Sequence, residues 1–71
     1  MYDNLKAEMA RHNLTGMKMS DLLHITHASF YKKIHGKSDF KLNEMVAIQN
    51  YFKDTDKARA AFYTLDYLFK E

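Results

Sequence analysis

Apolar positions in this chain recur at intervals of three and four residues, the spacing of helices that bury one side and expose the other. Leu5 and Met9 mark a first helix over 3–13, which Asp3 or Asn4 is placed to cap and "NLTG" closes. Met19, Leu22 and Leu23 define a short second helix over about 17–23, with Lys18 and Asp21 outward, followed by a tight turn at His24 and Ile25. Thr26 is the cap of a third helix over 27–35, and Gly36 stops it in the left-handed conformation that glycine adopts without steric cost. Met45, Ile48 and Phe52 give a fourth helix over about 41–52, broken by "KDTD". A fifth segment, over about 55–70, opens on Asp54 or Thr55 and carries Ala58, Ala61, Phe62, Leu65, Leu68 and Phe69 at helical spacing, with Tyr63 and Tyr67 beside that stripe. No linker or repeat interrupts the series. The expectation is an all-α, five-helix domain spanning 1–71 as a single unit.

Composition narrows the picture. A chain of 71 residues buries only about 60% of the surface its unfolded form exposes, so apolar side chains must be used economically or shared with a partner. Proline is absent and glycine occurs only at Gly16 and Gly36, which favours helices joined by short turns. The lack of cysteine excludes disulfides and thiolate metal sites. No apolar run reaches the roughly 20 residues that span a bilayer, and "MYDNLKAEM" lacks the layout of a secretory signal, so a soluble, cytoplasmic protein is expected.

The third helix holds the candidate chemistry. "HITHASFYKKIHGK", residues 24–37, contains three histidines, three lysines and no acid, and no acid occurs between Asp21 and Asp39. Residues 1–37 carry six Lys or Arg against three acids, while 38–71 carry five against six. The positive charge is therefore one-sided, a layout that can attract phosphate. At 100° per residue Phe30 and Ile34 share one side of the helix; Ala28, Lys32 and His35 cluster on the other, flanked by Ser29 and Tyr31. His27 falls near the boundary. Two short helices joined by a tight turn, the second apolar inside and basic outside, make a helix-turn-helix unit whose second helix fits the DNA major groove.

"LTGMKMSDLLHITHASFYKKIHGKSDFKLNEMVAI" resembles the helix-turn-helix of the phage Cro and repressor family, particularly its small members from Gram-positive phages and related elements. The matching features are Met19, Ser20 and Leu23 in the first motif helix, Ile25 after the turn, then "SFYKKIHGKSDF" and "LNEMVAI". The likeness covers about residues 4–52. Two positions depart from it: His24 stands where the family has a turn glycine, and Gly16 where it often has glutamine or a similar polar residue.

The resemblance implies a lambda repressor-like fold and a regulator that binds double-stranded operator DNA in a lysis/lysogeny switch, normally as a homodimer. It makes His27, Ala28, Tyr31 and Lys32 the base-reading positions. A lysine can donate to guanine O6 and N7, Ala28 can meet a thymine methyl, and Tyr31 can pack on the sugar-phosphate. Phosphate contacts fall to Lys33, Lys37, Ser38 and Lys41, with the hydroxyls of Thr26 and Ser29 at the front of the helix. If each subunit neutralises about four phosphates, the dimer's log K falls against log salt with a slope of roughly −7.

A rival of another class keeps the same fold but binds a phage repressor protein, in the manner of an antirepressor, through Phe62, Tyr63, Tyr67 and Phe69. No nucleophile motif supports an enzyme. His24 and His27 straddle a turn without a carboxylate to complete a metal shell, so neither metal nor cofactor is expected.

Overall fold

Thr15, Thr26 and Thr64 each stand one residue before a helix and supply the oxygen that a first turn lacks. Their hydroxyls accept from the N–H of Lys18 at 3.2 Å, Ser29 at 3.1 Å and Tyr67 at 3.1 Å. The computed structural model describes residues 1–71, which form α1 (Asp3–Arg11), α2 (Gly16–Leu23), α3 (His27–Ile34), α4 (Leu42–Thr55), a 3-10 helix (Lys57–Phe62) and α5 (Leu65–Leu68). There is no strand. The Cα radius of gyration, 11.1 Å, is what a compact chain of this length should have, about 11 Å.

The first three helices stop in one way. Asn13, His24 and Gly36 take left-handed backbone, with φ of 55°, 57° and 77°. In each case the next residue's N–H reaches back to a carbonyl five residues earlier: Leu14 to Met9 at 2.8 Å, Ile25 to Ser20 at 3.0 Å, Lys37 to Lys32 at 2.8 Å. These are Schellman closures, which satisfy carbonyls that a helix end leaves open. The turn at His24 is thus as tight as the sequence required, but it is held by a residue with a β-carbon.

The interior is built from Tyr2, Leu5, Met19, Phe30, Ile34, Phe40, Ile48, Phe52, Tyr63 and Leu68. Ser20, one of the positions that carry the resemblance, is buried with its hydroxyl donating to Met17 O at 2.8 Å. Tyr2, Phe40 and Phe69 meet edge to face at 5.3–6.1 Å and join the two ends of the chain to the loop after α3. α2 packs on α3 and α4, α4 on the 3-10 helix and α5, and α1 on α5.

Three boundaries depart from expectation. Neither Asp3 nor Asn4 caps α1: Tyr2 occupies the cap position in left-handed backbone, and Asn4 instead donates to Tyr67 O at 3.0 Å. α1 ends at Arg11 rather than at residue 13, because Asn13 is already in its closing turn. "KDTD" does not break α4, which continues to Thr55; without glycine or proline, nothing there stops a helix already anchored through the buried Phe52.

The largest correction concerns the fifth segment. It is not one helix but two short ones, parted at Tyr63 and Thr64. A continuous helix would turn the stripe of Ala58, Ala61 and Phe62 inward; the break leaves all three exposed and puts Tyr63 fully inside, stacked on Phe52 at 5.3 Å.

Candidate nucleic-acid interface

α3 owes its position to two side chains. Phe30 and Ile34 are buried, and this fixes which residues face out. Ala28, Tyr31, Lys32 and His35 are all exposed and follow one another at i, i+3, i+4 and i+7, so they form one continuous strip. The rings of Tyr31, 54% exposed, and His35 lie against each other on it, 4.2 Å between centroids. The Thr26 hydroxyl accepts the Ser29 N–H and keeps its own proton to donate. Ser29 itself is half-buried. Lys37, Ser38 and Lys41 are exposed along the loop that leaves α3 and enters α4, and Asp39 is the one exposed acid among them. His27 is exposed with its ring lying over the start of α2.

Lys33 does not belong to this strip. Its side chain is only 11% exposed, and its ammonium donates to Glu44 Oε1 at 2.8 Å and to Asp39 O at 3.2 Å. Glu44 is buried and also accepts the Lys41 backbone N–H at 2.8 Å, so one carboxylate caps α4 and pins α3 to it. Burial alone would push the Glu44 carboxyl up; the hydrogen bonds from Lys33 and Lys41, with both positive charges, outweigh it and hold the group below its ordinary value. Lys33 was expected to touch phosphate, but its charge is neutralised inside the protein.

The C-terminal aromatics separate in the same way. Phe62 is 63% exposed, with the Arg59 guanidinium 5.4 Å from its ring centre. Tyr63, Tyr67 and Phe69 are not a free surface: Tyr63 is wholly buried, and Tyr67 and Phe69 are half-buried against the core.

Tyr63 and Tyr67 lead to a cluster that the helical pattern alone did not reveal. Glu8, fully buried on α1, lies 2.8 Å from the Tyr67 hydroxyl, 3.2 Å from the Tyr63 hydroxyl, 3.3 Å from Arg11 Nε and 3.5 Å from Arg59 Nη2. His12 packs on Phe52 beside it and donates from Nδ1 to Glu8 O at 2.8 Å. Hydrogen bonding to Glu8, then burial, raises the Tyr67 phenol; burial and the charges of Glu8 and Asp56 raise that of Tyr63 against the opposing effect of Arg59. One signal was available: Glu8 and His12 share the helical stripe of Leu5 and Met9, where a polar residue must find a buried partner.

No three His, Asp or Glu side chains converge as metal ligands. The one cavity, about 230 Å³, is lined by Asp3, Asn4, Lys70 and Glu71, none of them a candidate site residue. No helix is long and apolar enough to cross a membrane. No protein-family model, curated protein or solved structure matches this chain.

Proposed function

We propose that this chain is a sequence-specific double-stranded DNA-binding regulator of the Cro type, which sets α3 into the major groove and acts in a phage switch by occupying an operator as a homodimer. The observation that carries the proposal is the division of α3: Phe30 and Ile34 buried, and a strip of Ala28, Tyr31, Lys32 and His35 exposed without an acid on the helix. Two helices capped by Thr15 and Thr26, joined through three residues, 24–26, and packed on each other support a helix-turn-helix reading. Lys32 reads bases, with His27 and Ala28 beside it at the front of the helix. Tyr31, Thr26, Lys37, Ser38 and Lys41 hold the sugar-phosphate. With Lys33 withdrawn into its pair with Glu44, Lys37 and Lys41 are left to neutralise two phosphates per subunit, and the salt slope of a dimer becomes about −4.

Selection of bound duplexes from a random pool tests the assignment directly. A defined, two-fold sequence is expected; recovery of unselected sequence at every salt concentration refutes it. Sedimentation at micromolar concentration tests the homodimer, which a monomer both on and off DNA would exclude.

One observation favours the second class of function. Phe62 is an exposed aromatic side chain with no role in DNA contact, and it is the part of the C-terminal segment open to a repressor protein. On that alternative Phe62→Ala abolishes activity and Lys32→Ala leaves it intact.

A further inference from the structure

Gly16 and His27 are the first residues of α2 and α3, and the imidazole of His27 fills the place where a side chain on Gly16 would stand. A β-carbon built on Gly16 comes within 2.9 Å of His27 Nε2 and 3.2 Å of its Cδ2, with the Phe30 ring edge 3.8 Å away. Any residue but glycine therefore collides with the ring and drives it off. Gly16 is not needed for unusual backbone: unlike Gly36, it does not take a positive φ. Glycine disfavours a helix relative to alanine, so its presence here in ordinary helical backbone is accounted for by the close approach rather than by chain geometry.

We propose that Gly16 is a positioning residue for DNA recognition: by lacking a side chain it seats the His27 imidazole across the start of α2 and so fixes the direction from which the first residue of α3 meets the duplex. The proposal rests on the DNA-binding function proposed above and deepens it. Gly16 itself contacts no base. Its influence runs wholly through His27, an exposed side chain that would otherwise rotate freely at the helix start. The same geometry explains how this chain manages without a polar side chain at position 16, because the space such a group would occupy belongs to a polar ring from the neighbouring helix.

The test has a free-protein arm and a DNA arm, each with wild type, Gly16→Ala, His27→Ala and the double variant. In nuclear magnetic resonance spectra of the free protein, wild type should show cross-peaks between the His27 ring protons and the Gly16 α-protons. Gly16→Ala should lose the ring's contact with residue 16 while its thermal midpoint does not fall. In duplex selection, wild type should show a base preference that falls at least about fivefold, at one position, in Gly16→Ala and in His27→Ala. The double variant should lose no more than His27→Ala alone, since without the ring a β-carbon at position 16 meets nothing closer than Phe30. Absence of the cross-peaks in wild type overturns the seat. A Gly16→Ala chain that selects the same sequence as wild type, or one whose effect persists undiminished in the His27→Ala background, overturns the positioning role alone. A wild-type chain that selects no duplex overturns the DNA-binding function, and the reader's part of His27 falls with it.

Discussion

The outer strip of α3 and the cluster around Glu8 are both rich in charge and hydrogen-bonding groups, yet they treat them in opposite ways. At Glu8 two guanidinium groups and two phenols converge on one carboxylate that water does not reach. On α3, Lys32 is exposed and forms no ion pair, whereas its neighbour Lys33 is turned inward to Glu44. A buried charge is tied to partners because leaving it unpaired costs several kcal/mol, and such a group is thereby unavailable to a ligand. An exposed, unpaired one contributes little to folding and remains available to an anion. Pairing, rather than residue type, separates the structural lysine from the candidate recognition lysine one residue away.

The sharpest way to break this contrast is Glu8→Ala. Removing the carboxylate takes away the Tyr67 hydroxyl's partner, leaves the Tyr63 hydroxyl with Asp56 alone, and deprives Arg11 and Arg59 of their common partner. Arg11 and Arg59 are partly exposed and can recover water, so the expected loss is about 3 kcal/mol, at the low end for breaking a buried pair. Urea denaturation should show the midpoint falling at constant slope. A loss under about 0.5 kcal/mol would mean the cluster is incidental. Lys32→Ala is its counterpart. Folding stability should stay within about 0.5 kcal/mol of wild type, while affinity for the selected duplex falls by about 2 kcal/mol, the worth of a good base contact. Equal loss on selected and unselected duplex would make Lys32 a phosphate contact instead.

Lys33 sharpens the contrast within a single helix. Lys33→Ala should cost about 2 kcal/mol of stability, the worth of a hydrogen bond to a charged group, and leave affinity for the selected duplex unchanged, the reverse of Lys32→Ala. Its pair also sets an acid limit. The Glu44 carboxyl titrates lower in the folded protein than in the unfolded chain, so the stability it confers is present in full above the ordinary value of 4.5 and is lost as pH falls through the lower folded value. Glu44→Gln should flatten that part of the pH–stability curve. In alkali the sign reverses: the raised phenols of Tyr63 and Tyr67 favour the folded state up to about pH 10, and this contribution is lost as pH rises through their folded values. Chemical denaturation across both ranges measures the two limits separately.

Much of the first 52 residues was legible because local signals and burial agree there. Thr26 and Gly36 bracket α3 as cap and stop, and Phe30 and Ile34 turn the same side inward that helical periodicity selects. The C-terminal segment was not legible for the opposite reason. Its apolar spacing predicts one helix, but Thr64 supplies a competing cap, and the Tyr63 hydroxyl gains Glu8 and Asp56 only if the chain breaks beside it. A hydrogen bond across 55 residues of sequence leaves no periodic trace. Lys33 fails for a related reason: its partner Glu44 lies eleven residues on, in another helix, so nothing in the charge pattern around 24–37 distinguishes it from Lys32. Exposure of a charge can be read from helical phase, while its pairing depends on tertiary structure.

The three left-handed stops offer the finest test of local against tertiary control. Gly36 takes φ of 77° without a β-carbon to clash, Asn13 belongs to a type that tolerates this backbone, but His24 at 57° carries the ordinary penalty. His24→Gly relieves that strain, worth about 1–2 kcal/mol, but adds freedom to the unfolded chain, which takes back about half of it. The net expectation is a gain of about 0.5–1 kcal/mol, seen as a higher urea midpoint at unchanged slope. His24 is exposed and at the turn between α2 and α3, so DNA affinity should change by less than stability does. A variant that is no more stable than wild type would show that the His24 ring stabilises the turn by as much as its backbone strains it. A variant that is more stable but binds DNA markedly less well would place His24 in the interface beside His27.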